Sequence, residues 1–424
     1  MRKELILRVS QLILSFMILI LVITTSNWYP IVSSDSIRRY TRSFEFDYIG
    51  WELAAGWEKF SLYSIGPAHH LNNFQQRKII GDYFVLLNSS NELQKMISEI
   101  YSDPQVSSPE EKAMQFEDEL YKISLLLNLQ KQIAESVLQH QISQTIKTLG
   151  ITEFGTPFPP ILFQTTKLPK QLIISSRGII KQEKSISLKA DITLNEIIKL
   201  ENDVEANLNY SALVVPIGGV GTYPTMVINT MDLKYLIETI AHEWIHNYLS
   251  LRPLGIRYAS SPVLRTMNET TANISGREIS QAVIETFYTD LIEITQILPR
   301  TFQTSFPTQK LIQLQNFDFS KEMYLTRIKV DDLLAEGKVD EAEQFMESQR
   351  LYFWENGYQI RKLNQAYFAF HGAYADEPFS AAGKDPVGDD VRLFRGRQAS
   401  LASFIRKISW MYNYSQLRTA ARTY

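Results

Sequence analysis

The run His242-Glu243-Trp244-Ile245-His246 constrains this chain more than any other stretch, because its chemistry works only on a helical backbone. Residues four apart on an α-helix lie on one face about one turn from each other, so His242 and His246 can aim two imidazoles at one ion. Glu243 stands beside the first of them, where it can reach a metal-bound water as a general base. The flanking pattern agrees. From Asp232 onward apolar residues recur at Leu233, Leu236, Ile237, Ile240, Ala241, Trp244, Ile245 and Tyr248, the rhythm of a half-buried helix. Asp232 is a candidate cap at its start, and Pro253 with Gly255 stops it. The histidines flank the apolar stripe and so face a cleft at the edge of the core.

A catalytic zinc takes three protein ligands and keeps a fourth position for water. Glu269, in the run Met267-Asn268-Glu269-Thr270-Thr271-Ala272-Asn273, lies 23 residues beyond His246 and is the candidate third ligand. The Pro-, Gly- and Ser-rich stretch from Leu249 to Pro262 gives the chain room to turn back and lay a second helix beside the first. The competing reading of Glu269 is a solvated glutamate at a helix start.

These residues resemble the gluzincin metallopeptidases, in which H-E-x-x-H and a glutamate on a following helix bind zinc. The Asn268-Glu269 pair matches the N-E that often opens the third-ligand helix of that clan. The resemblance implies that His242, His246 and Glu269 ligate Zn2+ and that Glu243 is the catalytic base. It departs from the clan at Asn273, where many members carry an aspartate that orients a ligand histidine; an amide oxygen accepts the same hydrogen bond more weakly. It covers about thirty residues and names no subfamily. It also implies a sheet leading into the zinc helix, whose edge strand pairs with extended substrate. Gly218 to Ile228 is the candidate for that strand, since its glycines permit close backbone approach; an ordinary connecting loop is the alternative.

At 424 residues and 45% hydrophobic content the chain can build two or three domains with a substantial core. A net charge of -3 supplies no field for nucleic acid, and Gly218-Gly219-Val220-Gly221 lacks the spacing and lysine of a phosphate loop. With no cysteine, disulfides, thiolate ligands and cysteine nucleophiles are excluded, which leaves His, Asp and Glu for a metal.

Arg2, Lys3 and Arg8 precede the apolar run Leu12 to Ile23, and no small-residue cleavage site is clear in 24–28. Residues 1–26 therefore read as a signal sequence or a single-pass membrane anchor, with Trp28 and Tyr29 at the interface and the body outside the cytoplasm, or secreted if the segment is cleaved. Residues 27–157 read as a helical region, with helices over Phe44 to Tyr63, Phe74 to Tyr101 and Pro109 to Leu149. The Gly- and Pro-rich Ile151 to Pro160 is the best internal boundary, and 158–424 reads as the catalytic domain. Its strands are expected at Ile161 to Thr165, Gln171 to Ser176, Ile186 to Ala190, Leu213 to Pro216 and Thr225 to Asn229, with a helix around Leu194 to Val204. The fold class is α+β, mostly helical: a small mixed sheet leads into a zinc-binding helix pair.

Downstream, Ser320 to Leu363 reads as a helical hairpin turning at Glu336-Gly337-Lys338, Ala375 to Gly396 as a long loop, and Ser400 to Tyr412 as an amphipathic helix. Amide hydrolysis needs a donor for the oxyanion, usually Tyr, His or Arg. Tyr367 and His371 are four apart and share a helical face, with Tyr374 a third candidate; packing beside Phe368 and Phe370 is the competing role. His69 and His70 are a poorer metal pair, since adjacent residues point about 100° apart on a helix. The expected activity is zinc-dependent hydrolysis of a peptide or protein substrate. No acidic amine-binding run precedes the zinc helix, which lowers the aminopeptidase option. A membrane-anchored helical interaction protein and an inactive zinc-binding pseudopeptidase are the alternatives.

Overall fold

The computed structural model describes residues 36–102, 106–153, 155–289, 317–375, 381–383 and 386–422. The apolar run Leu12 to Ile23, and with it the expected anchor, lies outside the described residues. Among the described residues no helix is long and apolar enough to cross a membrane.

Among the described residues a single helical turn at Arg38–Thr41 is followed by three longer helices, α1 (Tyr48–Ile65), α2 (Asn73–Ser102) and α3 (Pro109–Thr148). The last two follow the sequence expectation. Val137, Leu138, Ile142 and Ile146 of α3 are buried at helical spacing and pack on Ile80, Tyr83 and Leu87 of α2. The same hydrophobic cluster continues into the helices that carry the H-E-x-x-H run and Glu269, so the helical region is packed directly onto the site scaffold.

The strands are β1 (Phe163–Thr166), β2 (Lys170–Ser176), β3 (Gln182–Leu188), β4 (Tyr210–Val215), β5 (Gly219–Val220) and β6 (Thr225–Ile228), with α4 (Leu194–Leu208) between β3 and β4. They do not form the single mixed sheet expected from sequence. Two three-stranded sheets result, one antiparallel in the order β3-β2-β4 and one mixed in the order β1-β6-β5. The mixed sheet pairs Phe163 with Thr225 in parallel and Val220 with Met226 antiparallel. The reason is the first strand's partner: β1 pairs with β6, far away in sequence, and so leaves β2 free to nucleate a separate sheet.

From β6 the chain enters α5 (Leu233–Ser250), which Asp232 caps by accepting from the Tyr235 N–H at 2.9 Å. A short linker leads to α6 (Pro262–Phe287), capped by Ser261 with Pro262 in its first turn. Then come α7 (Phe319–Ala335) and α8 (Val339–Glu355), the expected hairpin, and α9 (Gln365–His371). The stretch Ala375 to Gly396, expected to be a loop, contains α10 (Pro386–Gly396). Proline opens that helix, and Val387, Val391 and Phe394 recur on one face and are buried in the main core, a pattern masked in the sequence by the neighbouring Gly and Asp. The helix expected over Ser400 to Tyr412 is α11 (Leu401–Ile408), and a further helix, α12 (Tyr414–Arg422), follows it, with the Asn413 side chain accepting from the Gln416 N–H at its start.

Candidate metal centre

Helices α5 and α6 lie against each other, and their crossing brings His242, His246 and Glu269 together. One donor atom from each falls within 4.8 Å of the others. Glu269 Oε2 stands 3.6 Å from His242 Nε2 and 3.4 Å from His246 Nε2, and the two imidazole nitrogens are 3.0 Å apart. This oxygen is buried and has no hydrogen-bond partner. A buried carboxylate oxygen facing two ring nitrogens calls for positive charge between them, a metal ion or a proton on an imidazole. The three donors therefore fit a zinc ion: two imidazoles and one carboxylate are its usual ligands.

The surroundings hold the donors in ligating form. His246 Nδ1 donates to Asn268 Oδ1 at 2.8 Å, which leaves the lone pair on Nε2, the atom that faces Glu269. The orienting partner of this ring is thus Asn268, on the turn before Asn273. Glu269 Oε1 accepts from the Tyr258 hydroxyl, a residue on the linker that carried no signal in the sequence. Arg265, one turn before Glu269 on α6, adds a positive charge beside Tyr258 and Glu269 and ties α6 to α9 through Nη1, which donates to the Ala369 carbonyl at 3.1 Å. Its spacing from Glu269 was legible; its role was not.

Burial works against charge on every group here, and the neighbours decide the outcome. Burial opposes the Glu269 carboxylate, but the His246 and His242 rings hold its pKa well below the ordinary value. Burial likewise opposes a proton on His246, yet Glu269 raises that ring from 6.5 to about 9 when no cation is present. Glu243 is pushed up by burial, with the two histidines pulling the other way. A buried carboxylate raised above its ordinary value is a better proton acceptor than a solvated one.

Strand β5 runs directly over Glu243. A Cβ on Gly219 would lie 2.6 Å from Glu243 Oε1 and 2.7 Å from its Cγ, so only glycine lets the backbone pass. Gly221 runs beside His246 with more room: a Cβ there would sit in ordinary contact, 3.4 Å from the His246 Cβ. Asn247 secures this approach from α5, its Nδ2 donating to the Thr225 hydroxyl at 3.1 Å. Because β5 is the outer strand of its sheet, the Gly218 to Ile228 segment supplies an edge strand beside the centre, as expected.

The three candidate donors on and after α9 separate clearly. Tyr367 and His371 share a face as predicted, with ring centroids 4.3 Å apart, and Tyr367 packs on Ile173, Leu213 and Val215 of the antiparallel sheet. Burial alone raises Tyr367 to about 12 and lowers His371 to about 4; neither is shifted by a charge of the centre. Tyr374 is different. Burial pushes its phenol well up, and Glu269, Tyr258 and Glu243 push it further, which puts its hydroxyl within electrostatic reach of both a ligand and the base.

No family model matches the chain, and no curated protein or solved structure matches it either.

Proposed function

We propose that this chain is a zinc-dependent hydrolase of peptide bonds, with the metal held by His242, His246 and Glu269. The observation that carries the reading is the buried, unpartnered Oε2 of Glu269, set 3.6 Å and 3.4 Å from two imidazole nitrogens with a carboxylate base next to the first. Zinc bound there supplies a Lewis acid that polarises a carbonyl and lowers the pKa of water. Glu243 takes the proton from the attacking water and returns it to the leaving amine. Tyr374 donates its O–H to the oxyanion, the role that sequence spacing first suggested for Tyr367 and His371. The β5 edge offers backbone N–H and C=O groups to an extended peptide or protein substrate. In the same reading residues 1–26 anchor the chain in the membrane, with the catalytic body on the extracytoplasmic side.

The resemblance to gluzincins supports the assignment of the base: a centre that only bound metal would have no use for Glu243 against the site. Elemental mass spectrometry on the full-length protein is the first test. One zinc per chain, lost in Glu269→Ala, supports the centre. Glu243→Gln should then keep its zinc and lose about two to four orders of magnitude in turnover on a peptide library. A well-folded wild type without zinc refutes the reading and makes the histidines structural, as in an interaction protein. Zinc with no cleavage by the wild type indicates a pseudopeptidase.

A further inference from the structure

Helix α1 is built the wrong way round for a helix bordered by water. Its described inward side chains are mostly polar. Tyr48 donates to the Ser187 hydroxyl at 2.7 Å, Glu52 is buried beside the Tyr223 backbone, and buried Lys59 pairs with Glu135 of α3. Glu135 in turn accepts from the Thr165 N–H at 2.7 Å and the Thr165 hydroxyl at 2.6 Å. Three of its described apolar side chains point the other way. Ile49, Leu53 and Trp57 follow at four-residue steps, which makes one stripe on a helix, and are 53%, 58% and 83% exposed. No described side chain of α1 joins a hydrophobic cluster of the core. Polar anchors thus hold the helix down while its hydrophobic stripe is turned outward.

A second stripe accompanies it. Leu125, Leu129 and Ile133 of α3 keep the same step and are also exposed. Trp57 comes two residues before Lys59 and Ile133 two before Glu135, so each stripe lies on the side of its helix away from the buried ion pair that ties the helices together. Exposed apolar surface of this extent marks a surface that meets something other than water.

The surrounding chain indicates what covers it. Tyr48 begins α1 only 25 residues after Ile23, the end of the apolar run read as the membrane anchor. Between the two lie Arg39 and Arg42, both exposed, where cationic side chains meet anionic headgroups. Tryptophan at the outer end of such a stripe suits the headgroup boundary. Among the described residues no helix can cross a bilayer, and α1 with Glu52 and Lys59 on its inner face is suited to lying in the membrane plane.

We propose that the Ile49–Leu53–Trp57 face of α1, with the exposed stripe of α3 beside it, docks into the interface of an anionic lipid bilayer. This rests on the reading of residues 1–26 as an anchor, but not on the metal centre. The anchor confines the chain to the surface; the stripe then fixes its orientation.

The test uses the full-length chain, which has no native cysteine. Leu53→Cys and Trp57→Cys each carry an environment-sensitive nitrobenzoxadiazole dye, with Glu336→Cys, exposed on a helical turn, as the control. The proteins are reconstituted in phosphatidylcholine–phosphatidylglycerol vesicles, with or without brominated phosphatidylcholine, and floated through a density gradient. Dyes at 53 and 57 should shift to the blue and lose about half their emission in brominated vesicles, while the control changes little. Replacing the anionic lipid by a zwitterionic one should weaken the effect. A chain that floats while dyes at 53 and 57 stay in water overturns the docking face and leaves the anchor intact. Blue-shifted dyes indifferent to bromine overturn it in favour of a second copy of the chain. A chain that does not float overturns both the anchor and the docking.

Discussion

Replacing Gly276 by alanine tests the helix crossing on which the metal centre depends. In a free helix the change is favourable by about 1 kcal/mol, because glycine loses more backbone entropy on folding than alanine. At this crossing a Cβ on Gly276 would lie 3.0 Å from the Glu238 carbonyl oxygen, 3.1 Å from the His242 backbone nitrogen and 3.2 Å from the His242 Cβ. None of these atoms can rotate out of the way, since all belong to the backbone of α5 or its first side-chain carbon. The helices must separate by a few tenths of an ångström, and overpacking of this kind costs about 1–3 kcal/mol. The two effects oppose each other, so the net expectation is a chain destabilised by about 0–2 kcal/mol. Gly81 in α2 is the control: a Cβ there meets nothing within 4 Å, so Gly81→Ala should stabilise by about 0.5–1 kcal/mol. Urea unfolding of the zinc-free proteins reads the difference. Gly276 lies two turns beyond Glu269, so the separation also lifts the carboxylate from the histidines, and zinc affinity measured by chelator competition should fall about tenfold. Equal stabilisation by both alanines, with zinc affinity unchanged, would refute the crossing and the centre built on it.

Zinc must displace the proton that Glu269 holds on His246, so its apparent affinity should rise about tenfold per pH unit up to about 9 and level off above it; a flat profile between pH 7 and 9 contradicts this. Without metal, that raised pKa adds stability below 6.5 and loses it as pH climbs through about 9, which a pH series of thermal melts detects. Glu52 goes the other way: burial lifts it from 4.5 to about 7 against only the Tyr223 backbone, so it costs nothing below 4.5 and progressively more up to about 7. Glu52→Gln should accordingly stabilise the fold by up to about 3 kcal/mol at pH 8 and by little at pH 4.5, and equal effects at both would count against that cost. Tyr374→Phe should lower turnover by about two orders of magnitude with zinc retained, while Tyr367→Phe stays within a few-fold. The reverse order would return the oxyanion role to Tyr367.

Local periodicity carried much of the fold. Helices α2 and α3, the α7–α8 hairpin and the Asp232-capped α5 all repeat apolar residues at helical spacing, and their ends fall close to the Gly, Pro and Asx signals that bound them. Where local signals were mixed they misled. The glycines and aspartates of 375–396 concealed α10, the third strand runs Gln182–Leu188 rather than Ile186 to Ala190, and no local signal revealed that β1 leaves its neighbour to pair with β6. Strand pairing depends on contacts distant in the sequence, which no window of residues contains.

The same division runs through the centre. The sequence alone determined the ligand helix, because four-residue spacing forces His242 and His246 onto one face, and it singled out Glu269 through its place on the next helix. Only the tertiary structure decided who attends them. Tyr258 reaches Glu269 from a short 3-10 turn in the linker, Asn268 orients His246, and Tyr374 rather than the better-spaced Tyr367 feels the charges of Glu269 and Glu243. A ligand pair on one helix is written in its periodicity, whereas a hydrogen-bond partner from another element exists only once packing has brought the two together.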